Sequence, residues 1–346
     1  MRTRLPVLAT ATPMLLGLTI AMGTAALATP ASAATPPTAP LATGPCGTVA
    51  SPPDYTHVVW IWMENESYNS VIGSTQAPYI NSVAAECGLA TNYHNITHKS
   101  LPNYLGATSG LGYTALHPFD GDCNPGPNCQ TAAKNIFGQG ETWKAYEESM
   151  PAACDKANSG NYLVHHNPPP YYSTLTTCPT HDVAYSQFAT DLSHNSLPAF
   201  SFITPNRVDD MHSGSIRAGD SWLAKNLTKI LASPEYHSGS TVVFITWDEG
   251  EGGHKTVGEH CAANTTDVSC HVATLVISPS TQPGTRSTTL FSHYSLLATA
   301  EQLLGLPRLG SASSAASMTA AFHLRPPTRP EGGFRDRRGT GDKQGA

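Results

Sequence analysis

The sequence predicts an α/β protein: a three-layer α/β/α sandwich with a mostly parallel central sheet. Short, near-continuous apolar runs read as strands buried on both faces: H-V-V-W-I-W-M (57–63), A-F-S-F-I-T (199–204), T-V-V-F-I-T-W (241–247) and H-V-A-T-L-V-I (271–277). Segments with helical spacing separate them, as at Trp222, Leu223, Leu227, Ile230 and Leu231. Strands that alternate with helices pack as a sheet covered on both sides.

The elements follow in order. Arg2 and Arg4 precede an apolar stretch from Leu5 to Leu27, broken by Pro6 and Pro13, and Ala31-Ser32-Ala33 fits a small-x-small cleavage site. Residues 1–33 therefore read as a signal peptide, and the expected destination is secreted, outside the cell. Residues 34–53, rich in Ala, Pro and Thr, read as a flexible lead-in. Strand 57–63 leads to a helix near 78–87, with Pro78 in its first turn and Gly88 as its stop. Ser100 is placed to cap a helix over 102–109. Residues 112–180, dense in Pro, Gly, Cys and Asn, read as long loops with one helix near 141–150. Strand 199–204, a helix over 217–232, strands 241–247 and 271–277 and a helix over 293–304 complete a domain spanning 54–324. Residues 325–346 have no apolar period and read as a disordered tail.

Composition narrows the function. The net charge of −6 argues against a phosphate-backbone reader, so no nucleic-acid partner is expected. Beyond the leader no segment is apolar for long enough to span a bilayer, so stable membrane insertion is not expected. Eight cysteines, an even count in an exported chain, favour disulfides. Their spacing suits short loops at Cys123–Cys129 and Cys261–Cys270, leaving Cys154–Cys178 and Cys46–Cys87, and no C-x-x-C pair points to a zinc site.

Candidate site residues gather at strand ends, where ligands bind in open α/β sheets. Strand 57–63 ends in Glu64-Asn65, hard oxygen donors suited to a divalent cation. Strand 241–247 ends in Asp248-Glu249, adjacent carboxylates that repel each other unless a cation or donors compensate. Between them Ser100, at a helix start, sits where backbone N–H groups and the helix dipole favour an anion, with Lys99 and Asn103 beside it for phosphate oxygens. The stretch T-P-N-R-V-D-D-M-H-S-G-S (204–215) packs Asn206, Arg207, Asp209, Asp210 and His212 into a strand exit. Arg207 suits a phosphate clamp, and His212 a proton donor or metal ligand. His254, in the turn G-E-G-G-H, and His293, at a helix start, are further candidates. A surface-packing role remains the competing reading for each histidine alone.

Taken together, W-M-E-N-E-S-Y (62–68), S-L-P-N-Y-L-G-A-T-S-G (100–110), I-T-P-N-R-V-D-D-M-H-S-G-S (203–215), I-T-W-D-E-G-E-G-G (245–253) and S-H-Y-S-L-L-A-T-A-E-Q-L-L-G-L (292–306) resemble a bacterial secreted phosphoesterase family. It contains acid phosphatases and phosphatidylcholine-type phospholipases C, and belongs to the alkaline-phosphatase-like superfamily. The resemblance implies that Glu64, Asn65, Ser100, Asp248 and Glu249 hold a divalent metal ion (Ca, Mg, Mn or Zn). It implies that Ser100 is the nucleophile, through a phosphoseryl intermediate, and that His212, His254 and His293 surround the phosphate. The chain departs from the family pattern at Asp209-Asp210, where Asn-Asp is common, and after the Gly-Gly turn, where only His254 is found. The implied partner is a small phosphate monoester or, if the 112–180 loops form an apolar rim from Tyr162, Pro168, Pro169, Pro170, Tyr171 and Tyr172, a phospholipid head group. A non-catalytic binding protein is disfavoured because Ser100 and both acidic clusters occur together.

Overall fold

In a computed structural model that describes residues 44–51, 54–253, 256–263 and 266–327, nine strands form one sheet. They are β1 (His57–Met63), β2 (Gly88–His94), β3 (Trp143–Glu147), β4 (Asp182–Ala184), β5 (Phe200–Thr204), β6 (Thr241–Trp247), β7 (His271–Ile277), β8 (Arg286–Ser287) and β9 (Phe291–Ser292). Their order is β4-β3-β5-β1-β6-β7-β2-β8, with β9 also paired to β2. Only β7 runs against its neighbours, β6 and β2; every other pairing is parallel. The helices are α1 (Tyr68–Val71), α2 (Pro78–Glu86), α3 (Ser100–Ser109), α4 (Tyr113–Leu116), α5 (Cys178–His181), α6 (Ser186–Ser193), α7 (Ile216–Leu231), α8 (Pro234–His237) and α9 (His293–Leu304). No helix among the described residues is long and apolar enough to cross a membrane.

The two sides of β1 show how the layers pack. Trp60 and Trp62 point to one face, where Trp62 meets Tyr104 of α3 and His293 of α9 at ring separations of 4.9 and 4.8 Å. Phe202 of β5 stacks on Trp62 at 5.7 Å and reaches Phe137 at 6.1 Å. Met63 points the other way, against Gly219 of α7, where an added Cβ would sit 2.9 Å from the Met63 methyl group. Helix α3 packs on α9, and α2 packs on α7. Alternate strand residues thus bury against separate helical layers, as a two-face core requires.

Several expectations change. Residues 141–150 hold strand β3, not a helix. Its Lys, Ala and Glu favour helix locally, but pairing with β4 and β5 and burial of Trp143, Ala145 and Tyr146 prevail. Helix α3 begins at Ser100 itself, with Lys99 as its cap and no side-chain capping bond. Strand β2 starts at Gly88, read above only as a helix stop. Part of the lead-in is anchored: Cys46 is buried in a disulfide with Cys87, Tyr236 donates to the Pro45 carbonyl at 2.7 Å, and the Val49 N–H donates to Pro279 at 3.0 Å. The remaining bridges are Cys123–Cys129, Cys154–Cys178 and Cys261–Cys270, as the spacing suggested. The signal-peptide reading, most of the lead-in, most of the tail and His254 lie outside the described residues.

The aromatic layer predicts a large cost for truncation at its centre. Phe202→Ala should lower unfolding stability by about 3–5 kcal/mol, read as a shifted midpoint in urea unfolding with an unchanged slope. A loss under about 1 kcal/mol would show that the layer is not tightly packed.

Candidate active site

Parallel register creates the site. Met63 pairs with Trp247, so Glu64 and Asp248 leave neighbouring strands side by side. The Asp248 N–H donates to the Met63 carbonyl at 3.0 Å, and the Asn65 N–H returns to Asp248 Oδ1 at 3.0 Å. On the other flank β5 feeds the 205–215 loop, whose Asp210 carbonyl accepts the Glu64 N–H at 2.8 Å. Three adjacent central strands therefore deliver Asp210, Glu64 and Asp248 to one place. Asn65 and Met211 take left-handed φ values of 53° and 88°, turning the two strand exits sharply.

Ser100 joins them from α3. Its hydroxyl donates to Glu64 Oε2 at 3.4 Å and also supports the ionised form of Asp248. Glu64 Oε1 accepts from Tyr104 one turn along the same helix, and Oε2 accepts from the Asn65 amide at 3.2 Å. At the helix start, Asp122 Oδ1 accepts the Leu101 N–H at 2.9 Å.

Glu64, Asp248 and Asp210 are fully buried, and no Lys or Arg among the described residues forms an ion pair with them. Burial, then the charges of Asp248 and Asp210, pushes Glu64 well above the usual carboxylate range. Burial raises Asp248 to about 7, with Glu249 adding to the rise, and Asp210 to about 8. Glu249 is held by His98, whose Nδ1 lies 2.5 Å from Oε2 while its Nε2 meets Ser269 at 3.1 Å. Asp248 Oδ2 is buried with no hydrogen-bond partner among the described residues. Clustered buried carboxylates with an orphaned oxygen are the environment a cation relieves. An oxygen-only donor set of Glu64, Asn65, Ser100, Asp248 and Glu249 suits a hard divalent ion.

Other predicted residues serve differently. Asn103 accepts the N–H groups of Ile96 and Thr97 at 2.8 and 3.1 Å and donates to the Thr97 and Lys99 carbonyls at 2.8 and 3.0 Å. It braces the turn that presents Ser100, with no group left for a phosphate. Asn206 braces its own loop, donating to Glu148 at 3.0 Å and to Asp209 at 2.9 Å. The Arg207 Nε donates to the Ser213 hydroxyl at 2.8 Å, and Lys99 is exposed beside Ser100. Asp210 joins histidines instead of facing solvent: Oδ1 accepts the His212 N–H at 2.7 Å, and Oδ2 lies 3.2 Å from His166 Nδ1. His293 lies behind Asp248, its Nε2 donating to that residue's carbonyl at 2.7 Å and its Nδ1 accepting from Tyr93 at 3.0 Å. Burial lowers it to about 4, so the ring is neutral and positions the strand end. Tyr162, Pro168, Pro169, Pro170, Tyr171 and Tyr172 are buried and form no apolar rim.

A model of the phosphoesterase family matches residues 74–307, more than half of the chain. The chain belongs to the phosphoesterase family. Over 272 residues it is 32% identical to a phosphatidylinositol-3-phosphatase of Mycobacterium tuberculosis, covering 77% of this chain and 83% of that protein. It is 28% identical to a phosphate-repressible acid phosphatase of Penicillium chrysogenum, covering 74% of this chain and 60% of the fungal protein. A solved structure of a putative sulfatase from Bacteroides thetaiotaomicron has a similar fold, with a TM-score of 0.51 at 12% identity over 79% of this chain and 76% of that one. The phosphoesterase is accordingly a hydrolase acting on phosphoric ester bonds.

Sequence reasoning missed His165, His166, Tyr104 as a partner of Glu64, and Asp122. His165-His166 sits inside the Pro/Tyr run, and two adjacent histidines before N-P-P-P were the available signal. His166 places one nitrogen against Asp210 and the other 3.4 Å from Glu64 Oε2, and its ring stacks on Tyr104 at 5.7 Å.

Raised carboxylate pKa values contribute stability at low pH that is lost as pH rises through the folded values. Above about pH 7.5 histidines are largely neutral in both states, so Asp210, Asp182 and Glu301, each at about 8, and Glu64 set the slope. The chelator-treated phosphoesterase should therefore melt at progressively lower temperature from about pH 7.5 to about 8.5. Calorimetry showing a rising melting temperature across that window would contradict these pKa directions.

Proposed function

We propose that this chain is an exported, metal-dependent phosphatase that hydrolyses phosphate monoesters through a phosphoserine at Ser100. The observation that carries this reading is the Ser100 hydroxyl: it heads α3, is not used in capping, and lies against Glu64 and Asp248. An N-terminal helix end favours an arriving phosphate dianion. The names of the relatives, an acid phosphatase and a phosphatidylinositol-3-phosphatase, point to monoester substrates. Export is supported by the leader-like N-terminus and by four disulfides.

A divalent cation held by Glu64, Asn65, Ser100, Asp248 and Glu249 would lower the serine hydroxyl pKa and offset charge on the transferring phosphoryl group. Ser100 passes its proton towards Glu64 and its oxygen attacks phosphorus in line, expelling the substrate alcohol. The exposed Lys99 ammonium and the Arg207 guanidinium draw the phosphate in. Neutralisation of the leaving oxygen falls to the histidine group around His212. Water then attacks the phosphoseryl ester, releasing phosphate and restoring the hydroxyl. Tyr104 and His98 orient Glu64 and Glu249, and His293 fixes the Asp248 backbone.

The test compares p-nitrophenyl phosphate with p-nitrophenylphosphorylcholine, using wild type and Ser100→Ala. Wild type should prefer the monoester, lose activity with chelator and regain it with added cation. Ser100→Ala should fold normally and lose at least about 10³-fold in kcat. Wild-type turnover in that variant would remove the nucleophile assignment, and preference for the choline diester would move the reading to a phospholipase C.

A further inference from the structure

Helix α3 carries Ser100 in its first turn, yet nothing local caps it: Lys99 stands at the cap position and makes no side-chain bond. The cap comes from a distant segment. Asp122 Oδ1 accepts the Leu101 N–H at 2.9 Å from 21 residues along the chain. Carboxylates are favoured at helix starts, where they meet unsatisfied N–H groups and the positive end of the dipole. Pro102 brings no N–H at all. Of the first three residues of α3, only Ser100 therefore keeps a backbone N–H without a partner among the described residues.

Asp122 is itself held independently of α3. It takes a left-handed φ of 49°, and its N–H donates at 3.1 Å to the carbonyl of Phe119, which is buried. The next residue, Cys123, is bridged to Cys129, and its carbonyl accepts from the Tyr171 hydroxyl at 2.7 Å. Burial raises the Asp122 carboxyl to about 6; the Leu101 N–H and the Lys99 ammonium oppose the rise, and Glu249 and Asp120 add to it. At pH 7.5 the group is accordingly a carboxylate, half-buried and bonded to the residue next to Ser100.

We propose that Asp122 is a positioning residue for phosphoryl transfer: by capping α3 from outside it fixes the first helical turn and the direction of the Ser100 hydroxyl, and its charge limits how tightly phosphate is held beside that turn. The proposal rests on Ser100 being the nucleophile. One side chain then has two effects of opposite sign. Its hydrogen bond helps turnover, because a reacting atom displaced by about 1 Å can lose about 10²-fold in rate. Its charge opposes a phosphate dianion and occupies an N–H that an anion would otherwise use. The same repulsion favours release of product phosphate.

The test compares Asp122→Ala and Asp122→Asn with wild type, as Mn²⁺-loaded full chains at pH 7.5. It reads kcat on p-nitrophenyl phosphate, inhibition by inorganic phosphate, and Mn²⁺ affinity. Asp122→Ala should lose about 10–100-fold in kcat. Inorganic phosphate should inhibit it at roughly 2–5-fold lower concentration, and Mn²⁺ should bind as in wild type. Asp122→Asn keeps an accepting oxygen and drops the charge, so it should recover most of the kcat and retain the tighter phosphate inhibition. A cap with a structural role alone would lower the melting temperature and leave phosphate inhibition unmoved. Unchanged kcat in folded Asp122→Ala, or unchanged phosphate inhibition in Asp122→Asn, would overturn the proposal; the second outcome decides even where the alanine variant does not fold. Full turnover in Ser100→Ala would remove the nucleophile assignment and the positioning role with it, whereas an Asp122 failure beside an inactive Ser100→Ala counts against Asp122 alone.

Discussion

Burial of Glu64, Asp248 and Asp210 side by side is the constraint around which the rest of this molecule is arranged. Each would prefer water, and together they repel. The fold keeps them there because their positions are dictated by backbone pairing that the core cannot rearrange. Strands β5, β1 and β6 are adjacent, parallel and buried on both faces, so their carboxyl ends lie level. A one-residue slip would turn Glu64 to the opposite face and Trp62 out of its aromatic layer. The same tight packing that defines the core thus enforces an electrostatically unfavourable site, and a bound cation is the natural compensation.

The surrounding groups make sense as supports for that arrangement. Tyr104 and Ser100 belong to one helix and approach Glu64 from one side; Asn65 and its backbone tie Glu64 to Asp248. Glu249 is reached from behind by His98, and that imidazole rests on Ser269 and on the buried Cys261–Cys270 bridge, with Sγ of Cys261 3.4 Å from Nε2. His293 holds the Asp248 carbonyl through a neutral ring. Reactive and supporting residues therefore come from different elements, which allows the supports to be rigid while the site mouth, with Lys99 and Arg207, stays open.

Much of this was legible in the sequence where a local pattern carried the signal. Strands β1, β6 and β7 are short runs apolar on both faces, and β1 and β6 end in acids. Spacing and parity made the four disulfide pairs plausible, and the structure shows them. What was hidden depended on distant partners. Strand β3 has helix-forming residues and becomes a strand only because β5 and β4 pair with it. Ser100 read both as a helix cap and, by resemblance, as a nucleophile; the structure removes the capping bond and directs its hydroxyl at Glu64. Asn103 looked like a phosphate ligand because its amide lies three residues from Ser100, yet the turn consumes all of its hydrogen-bonding groups. His165 and His166 gained significance only once the 205–215 loop folded against them, 40 residues or more away in sequence. The Pro/Tyr run around them, offered as a rim only for a phospholipid substrate, packs into the interior as an ordinary loop would.

The most direct measurement is anomalous diffraction from crystals grown with Mn²⁺. The account predicts a strong peak bonded by Glu64 and Asp248, with Ser100 Oγ alongside. Crystals with no peak there, with Glu64 and Asp248 sharing a proton in direct contact and chelator-treated protein fully active on p-nitrophenyl phosphate, would contradict it.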